Sequence, residues 1–152
     1  MYQSVLFPTD GSEQSRRARD AAFDLAETYD ATLHVLYVVD TGALPLDAHA
    51  RAVFARLDRE ARRAVAEVVT RAERREIDPV VGTVTEGRPH ETILGYVADH
   101  DVDIVVMGTH GRRGVSRALL GSVTERVVRL ADAPVLTVRS TEVDAGVGTA
   151  EE

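Results

Sequence analysis

Gly108, Gly111, Gly121 and Ser122 have the residue types and spacing that could do chemistry. The segment Met107-Gly108-Thr109-His110-Gly111-Arg112-Arg113-Gly114 follows directly on an apolar, β-branched run, and Gly121-Ser122-Val123-Thr124-Glu125 comes soon after, where a helical pattern opens. Glycines let backbone N–H groups approach an anion closely, and a helix N-terminus adds the positive end of its dipole. The hydroxyls of Ser122 and Thr124 can bond phosphate oxygens, and Arg112, Arg113 or Arg117 can add charge. Together they describe a triphosphate cradle. The same residues carry a plainer reading. Ser122-x-x-Glu125 is a capping box, in which the serine serves the helix's own N–H groups, and glycines after a strand are common turn residues. The two readings are compatible, because capping and phosphate contact use one helix end.

Two further segments bear on a ligand. Pro8-Thr9-Asp10-Gly11-Ser12 ends the first apolar run. A carboxylate there can accept hydrogen bonds from a ribose hydroxyl or an adenine amino group; alternatively Asp10 or Ser12 caps the first helix. Val39-Asp40, after the second run, offers an apolar wall and a backbone contact for a base, or is simply a strand end. For hydrolysis the nearby candidates are His110 and Glu125. A histidine is a suitable residue type for a general base, but a loop histidine is more often a phosphate donor, and capping accounts for Glu125. His34, His49, His90 and His100 lack HExxH-like ligand spacing. No G-x-S-x-G elbow exists, since Ser116 lies in Gly114-Val115-Ser116-Arg117-Ala118. These residues favour binding over catalysis, and no catalytic or metal-ligating residue is assigned.

The composition narrows the field further. The chain has no cysteine, which excludes disulfides, thiolate nucleophiles and thiolate metal sites. It also has no lysine: all 18 basic residues are arginine, so Schiff-base chemistry and a lysine P-loop are excluded. The net charge of −7 argues against nucleic acid as a partner. Thirteen aspartates without lysine lean slightly toward a high-salt cytoplasm, with a GC-rich genome as the other explanation. At 152 residues one domain is expected, able to bury an ordinary core. No apolar run approaches the roughly 18 residues of a membrane span, and Met1-Tyr2-Gln3-Ser4 lacks a basic leader region, so a cytoplasmic location is expected.

The elements that must position these residues alternate regularly. Near-continuous apolar runs at Ser4–Phe7, Thr32–Val39, Val80–Val84, Asp103–Met107 and Val135–Val138 suit strands covered on both faces. Between them run helical stripes: Ala18, Ala22 and Leu25 in the first, Val53, Leu57, Ala61, Val65 and Ala72 in a long second. Arg63–Glu67 and Glu67–Arg71 pairs mark that second helix's solvated face. Pro89 opens a third helix, and a fourth spans about Ser122 to Ala131, stopped before Pro134. The pattern predicts an α/β fold: an open, doubly wound sheet of five mostly parallel strands with helices on both faces, binding ligands at the strands' carboxyl ends. A domain over residues 1–139 and a disordered tail over 140–152 are expected.

Taken together, these pieces resemble the universal stress protein family, over nearly the whole chain. Its nucleotide-binding branch carries G-x2-G-x9-G-[ST]. Here that reads Gly108-Thr109-His110-Gly111, nine residues from Arg112 to Leu120, then Gly121-Ser122. The early P-T-D-x-S, the Glu86-Gly87-Arg88-Pro89 turn, the D-I-V-V-M-G strand and the closing P-V-L-x-V-R also match. The resemblance implies strand order 3-2-1-4-5 in a Rossmann-like fold. It implies ATP (or AMP), with Mg2+ or Mn2+ held mainly by the phosphates. Pro8, Thr9, Asp10 and Val39 would lie toward adenine and ribose, and Met107 and Gly108 on the ribose side. His110, Gly111, Gly121, Ser122, Val123 and Thr124 would surround the phosphates. It further implies a homodimer through the fifth strand, Pro134 to Arg139, which would cover an exposed edge. The second helix and the loop Thr41 to Asp47 inherit nothing. The expected function is a nucleotide-dependent regulatory, stress-response dimer. The alternatives are a slow ATPase in the same pocket, or a module for another adenine-containing ligand such as AMP, cyclic AMP or a flavin. An unknown protein partner stays open.

Overall fold

The computed structural model describes residues 1–44, 47–110 and 119–140. Gly111 and the arginines at 112, 113 and 117 lie outside the described residues, as does the expected tail from 141 onward. Strands β1 (Ser4–Pro8), β2 (Thr32–Asp40), β3 (Val80–Gly87), β4 (Ile104–Gly108) and β5 (Val135–Val138) alternate with helices α1 (Arg16–Tyr29), α2 (Ala50–Arg74), α3 (Pro89–Asp99) and α4 (Ser122–Leu130). The sheet has 5 strands in the order β3-β2-β1-β4-β5, and every neighbouring pair is parallel.

The order explains the two-sided apolar runs. From β1 the chain steps outward through β2 to β3, then crosses back to β4 and steps the other way to β5. Right-handed crossovers therefore put α1 and α2 on one face and α3 and α4 on the other. Alternate strand residues divide between the two resulting cores. Val5, Phe7, Leu33, Val35, Tyr37, Val39, Ile104 and Val106 pack beneath α1 and α2. Leu6, Leu36, Val105 and Met107 pack beneath α3 and α4, with Ile93, Val97 and Val127. In β1, β2 and β4, where both faces are covered, the alternation of a half-exposed strand does not develop.

Local chemistry sets the helix limits. Asp30, in the left-handed region at φ 53, ends α1 and turns the chain into β2. Pro89 supplies a preset φ in the first turn of α3. The stripe Ala61, Val65, Val68 and Ala72 seats α2, while its outer face carries Arg62–Asp58 and Arg71–Glu67 ion pairs at 2.9 and 3.5 Å. Gly82 lets α2 lie close to β3: a Cβ there would stand 2.7 Å from Val65 Cγ1 and 3.0 Å from Val69 Cγ2. Among the described residues no helix is long and apolar enough to cross a membrane.

Candidate functional site

Strand order reverses between β1 and β4, which opens a crevice at their carboxyl ends. After β1, two side chains shape the turn: Thr9 Oγ1 accepts the Gly11 N–H at 3.0 Å and Asp10 Oδ1 accepts the Ser12 N–H at 3.0 Å. Gly11 takes φ 78, a conformation that favours glycine. No side chain caps the following helical turns, so the carboxylate of Asp10 organises its own loop and not a helix end. Asp40 repeats the device after β2, its Oδ1 accepting the Gly42 N–H at 2.9 Å.

On the β4 side the backbone is stapled to α4. Gly121 N–H donates to Thr109 O at 2.7 Å and Thr109 N–H to Val138 O at 3.1 Å. Thr124, 4% exposed, donates its hydroxyl to Gly108 O at 2.9 Å. That bond makes Thr124 a positioning residue, and leaves Ser122 as the exposed hydroxyl at this helix end. Gly108 is hemmed in by backbone; a Cβ there would lie 3.3 Å from His110 O and 3.5 Å from Gln14 O. His110 Nδ1 stands 3.2 Å from Thr109 Oγ1.

The capping box expected at Ser122 and Glu125 does not form. Gly121 occupies the cap position without a side-chain bond, and the Glu125 N–H reaches Gly121 O at 2.9 Å. Glu125 instead faces outward and pairs with Arg129, whose guanidinium holds the carboxyl below its usual range. A glycine cap leaves the first N–H groups of α4 without a competing side-chain acceptor.

These segments enclose one cavity of about 340 Å3. It gathers Pro8, Thr9, Asp10, Val39, Met107, Gly108, His110, Gly121, Ser122, Val123 and Thr124. Gly111, the other residue of that set, lies outside the described residues. Asp40, read together with Val39 from the sequence, lines it too, and the wall also includes Ser15, Leu36, Tyr37, Val38, Leu57, Pro89 and Ile93, which the sequence reading did not place there. Alternation along β2 refines the part of Val39. Its side chain packs into the α1/α2 core, while Val38 turns toward the α3/α4 side with Leu36. Val39 therefore offers the cavity chiefly backbone, and the apolar wall comes from its neighbours. Carboxylates at Asp10 and Asp40 face a lining whose one basic side chain, among the described residues, is His110. No three His, Asp or Glu side chains among the described residues are grouped so as to hold a metal ion.

Fold and site together define a doubly wound, Rossmann-like α/β protein with a cavity at the topological switch point. The chain belongs to the universal stress protein family, whose profile matches residues 1–139. It is 34% identical over 142 residues to universal stress protein MJ0531 of Methanocaldococcus jannaschii, covering 91% of this chain and 83% of that protein. The solved structure of UspA from Lactobacillus plantarum superposes with a TM-score of 0.80 at 30% identity, over 91% of this chain and 98% of that one. A universal stress protein solved in complex with cAMP gives a TM-score of 0.68 at 26% identity, over 92% and 98% of the two chains.

Proposed function

We propose that this chain is a nucleotide-binding regulatory member of its family, taking ATP or AMP in the cavity at the carboxyl ends of β1, β2 and β4. The observation that carries the reading is the convergence on one cavity of two features: the glycine-capped N-terminus of α4, and an apolar slot lined as well by the carboxylates of Asp10 and Asp40. The first suits phosphate, because free N–H groups and the helix dipole favour an anion. The second suits a ribose and a base carrying an amino group, which donate to carboxylate oxygens. The volume is in the range of small-molecule pockets. The cAMP complex of a related structure supports an adenine nucleotide as the ligand class.

A divalent cation fits this site as a companion of the phosphates. The described wall supplies no ammonium or guanidinium group and no cluster of three ligands, so Mg2+ or Mn2+ would be held by phosphate oxygens and water, neutralising charge the protein leaves uncompensated. Dimerisation belongs to the same reading. Strand β5 lies at a sheet edge with Leu136 40% exposed, and Val128 and Leu130 of α4 are exposed as well. An apolar edge of this kind calls for a cover, and a second copy of the chain provides one.

Native mass spectrometry of the purified protein, with and without added ATP and Mg2+, tests the proposal. The expected result is a dimer carrying one adenine nucleotide per chain. A protein that takes up neither ATP nor AMP at millimolar concentration removes the reading.

A further inference from the structure

The base end of the cavity is closed by an element that the glycine motif does not include. Helix α2 has 25 residues, about 37 Å at 1.5 Å per residue, whereas its neighbour β3 has 8, about 26 Å at 3.3 Å per residue. Its C-terminal end is tied to the amino edge of the sheet. There the Arg75 side chain bonds Asp24 and Glu27, and the chain enters β3 at Val80. The surplus length therefore projects at the other edge. Burial agrees, since the fully buried residues of α2 begin only at Ala61.

Register shows which residue reaches the cavity. Val65 and Val69 pack on Gly82, and Gly87 pairs with Asp40 at the carboxyl edge. Climbing from Gly82 to Gly87 covers about 16 Å of strand, which is about 11 residues of an antiparallel helix and ends near position 56. Leu57 is the residue of α2 that lines the cavity there, backed by the same core as Tyr37. Across the carboxyl edge of the sheet, Leu36 and Ile93 belong to the opposite core. Because α2 covers β2 and β3 while α4 covers the β4 and β5 side, Leu57 and the phosphate-facing helix end stand at opposite ends of the cavity.

Resting on the nucleotide reading above, we infer that Leu57 is a specificity-determining residue that packs against the base of the bound nucleotide. Affinity for the base then depends on an apolar side chain from a helix outside the motif, and a ligand without a base gains nothing from it. Calorimetric titration of ATP, with inorganic tripolyphosphate as competitor, tests this on the wild-type protein, Leu57→Ala and Leu57→Met. Truncation to alanine removes most of one leucine's contact area. ATP affinity should fall about tenfold in Leu57→Ala and return to within about threefold of wild type in Leu57→Met. The tripolyphosphate competition constant should not change in either variant, which also shows that the variants keep the folded cavity. Equal ATP affinity in wild type and Leu57→Ala overturns the assignment, as does an equal loss for ATP and tripolyphosphate. Absence of ATP uptake by the wild-type protein overturns the nucleotide reading itself, and the assignment with it.

Discussion

His34 Nδ1 and the hydroxyl oxygen of Tyr96 lie 2.7 Å apart, joining β2 to α3 inside the core beneath α3 and α4. The Tyr96 ring stacks on His100, with centroids 3.8 Å apart and planes 14° from parallel, and His100 in turn meets His34 edge-on at 5.6 Å. Two histidines and a tyrosine thus form a polar cluster that does not line the cavity. Burial disfavours a charged imidazolium at His34, and the neighbouring His100 pushes the same way, so the His34 pKa falls below 6.5. Burial also raises the Tyr96 pKa, opposed by a hydrogen bond with Thr83, so its phenol stays protonated.

The sign of the pH dependence follows. The unfolded chain protonates His34 near pH 6.5, and the folded chain only at lower pH, so unfolding takes up a proton between the two values. Stability from this group is complete above about pH 6.5 and is lost as pH falls toward the folded-state value. His34→Phe should flatten the part of the Tm decline below about pH 6.5 that His34 causes. In a proton–carbon NMR titration, the His34 midpoint should lie below 6.5. A His34 midpoint at or above 6.5 contradicts the assignment.

Gly121→Val separates the cavity from the fold. Gly121 sits at φ −62 and ψ 154, an extended conformation that valine adopts readily, and its N–H bond to Thr109 O is unaffected by a side chain. The added isopropyl group stands at the mouth of α4, where phosphate is proposed to bind. ATP affinity should drop by more than about tenfold, with Tm within a few degrees of wild type. Calorimetry and thermal unfolding check the two halves. Undiminished ATP affinity removes the helix end from the site.

Charge in the cavity wall predicts a metal requirement that grows with the number of phosphates. Asp10 and Asp40 contribute carboxylates, and the chain has no lysine to offset them. Adding EDTA should weaken ATP binding at least about tenfold and change AMP binding little. Metal-independent ATP affinity means that guanidinium groups supply the missing charge.

The legible part of this molecule followed from chemistry written locally. Five β-branched runs separated by helical stripes specify a parallel sheet, because strands buried on both faces need no alternation. Asp10 and Gly108 stood out because they lie at strand ends, and Gly121 because it opens a helix. What escaped depends on packing between distant segments. Leu57 belongs to the stripe Val53–Leu57–Ala61, which is indistinguishable from core until the overhang of α2 is known. The continuous run Tyr37-Val38-Val39 does not reveal which valine faces the cavity, since either register buries an apolar side chain. The capping box failed because Gly121 took the cap and Glu125 had Arg129 one turn ahead, an ordinary surface competition.

Gly82→Ala tests how tightly α2 is held against the sheet. The new methyl would meet Val65 Cγ1 at 2.7 Å and Val69 Cγ2 at 3.0 Å, and β-branched side chains have little rotamer freedom to retreat. The expected cost is about 1–3 kcal/mol, read as a lower denaturation midpoint. In the double variant with Val65→Ala the two losses should add to less than their sum, because the smaller side chain makes room. Strict additivity would mean that α2 does not bear on β3 at Gly82.

Leu136→Glu tests the proposed cover of the sheet edge. Leu136 pairs in register with Val106 across β4 and β5, yet is 40% exposed, since among the described residues β5 is an edge strand. It does not line the cavity, so nucleotide affinity offers an internal control. If β5 faces its own copy as proposed, a carboxylate there must either lose hydration or stand beside a second carboxylate, and both disfavour association. Light scattering after size exclusion should show the wild-type protein as a dimer. Leu136→Glu should be a monomer at the same concentration, with its Tm lowered by lost linkage and its cavity still titrating ATP. A variant that remains dimeric places the interface elsewhere on the surface, and a monomeric wild type leaves the β5 edge uncovered.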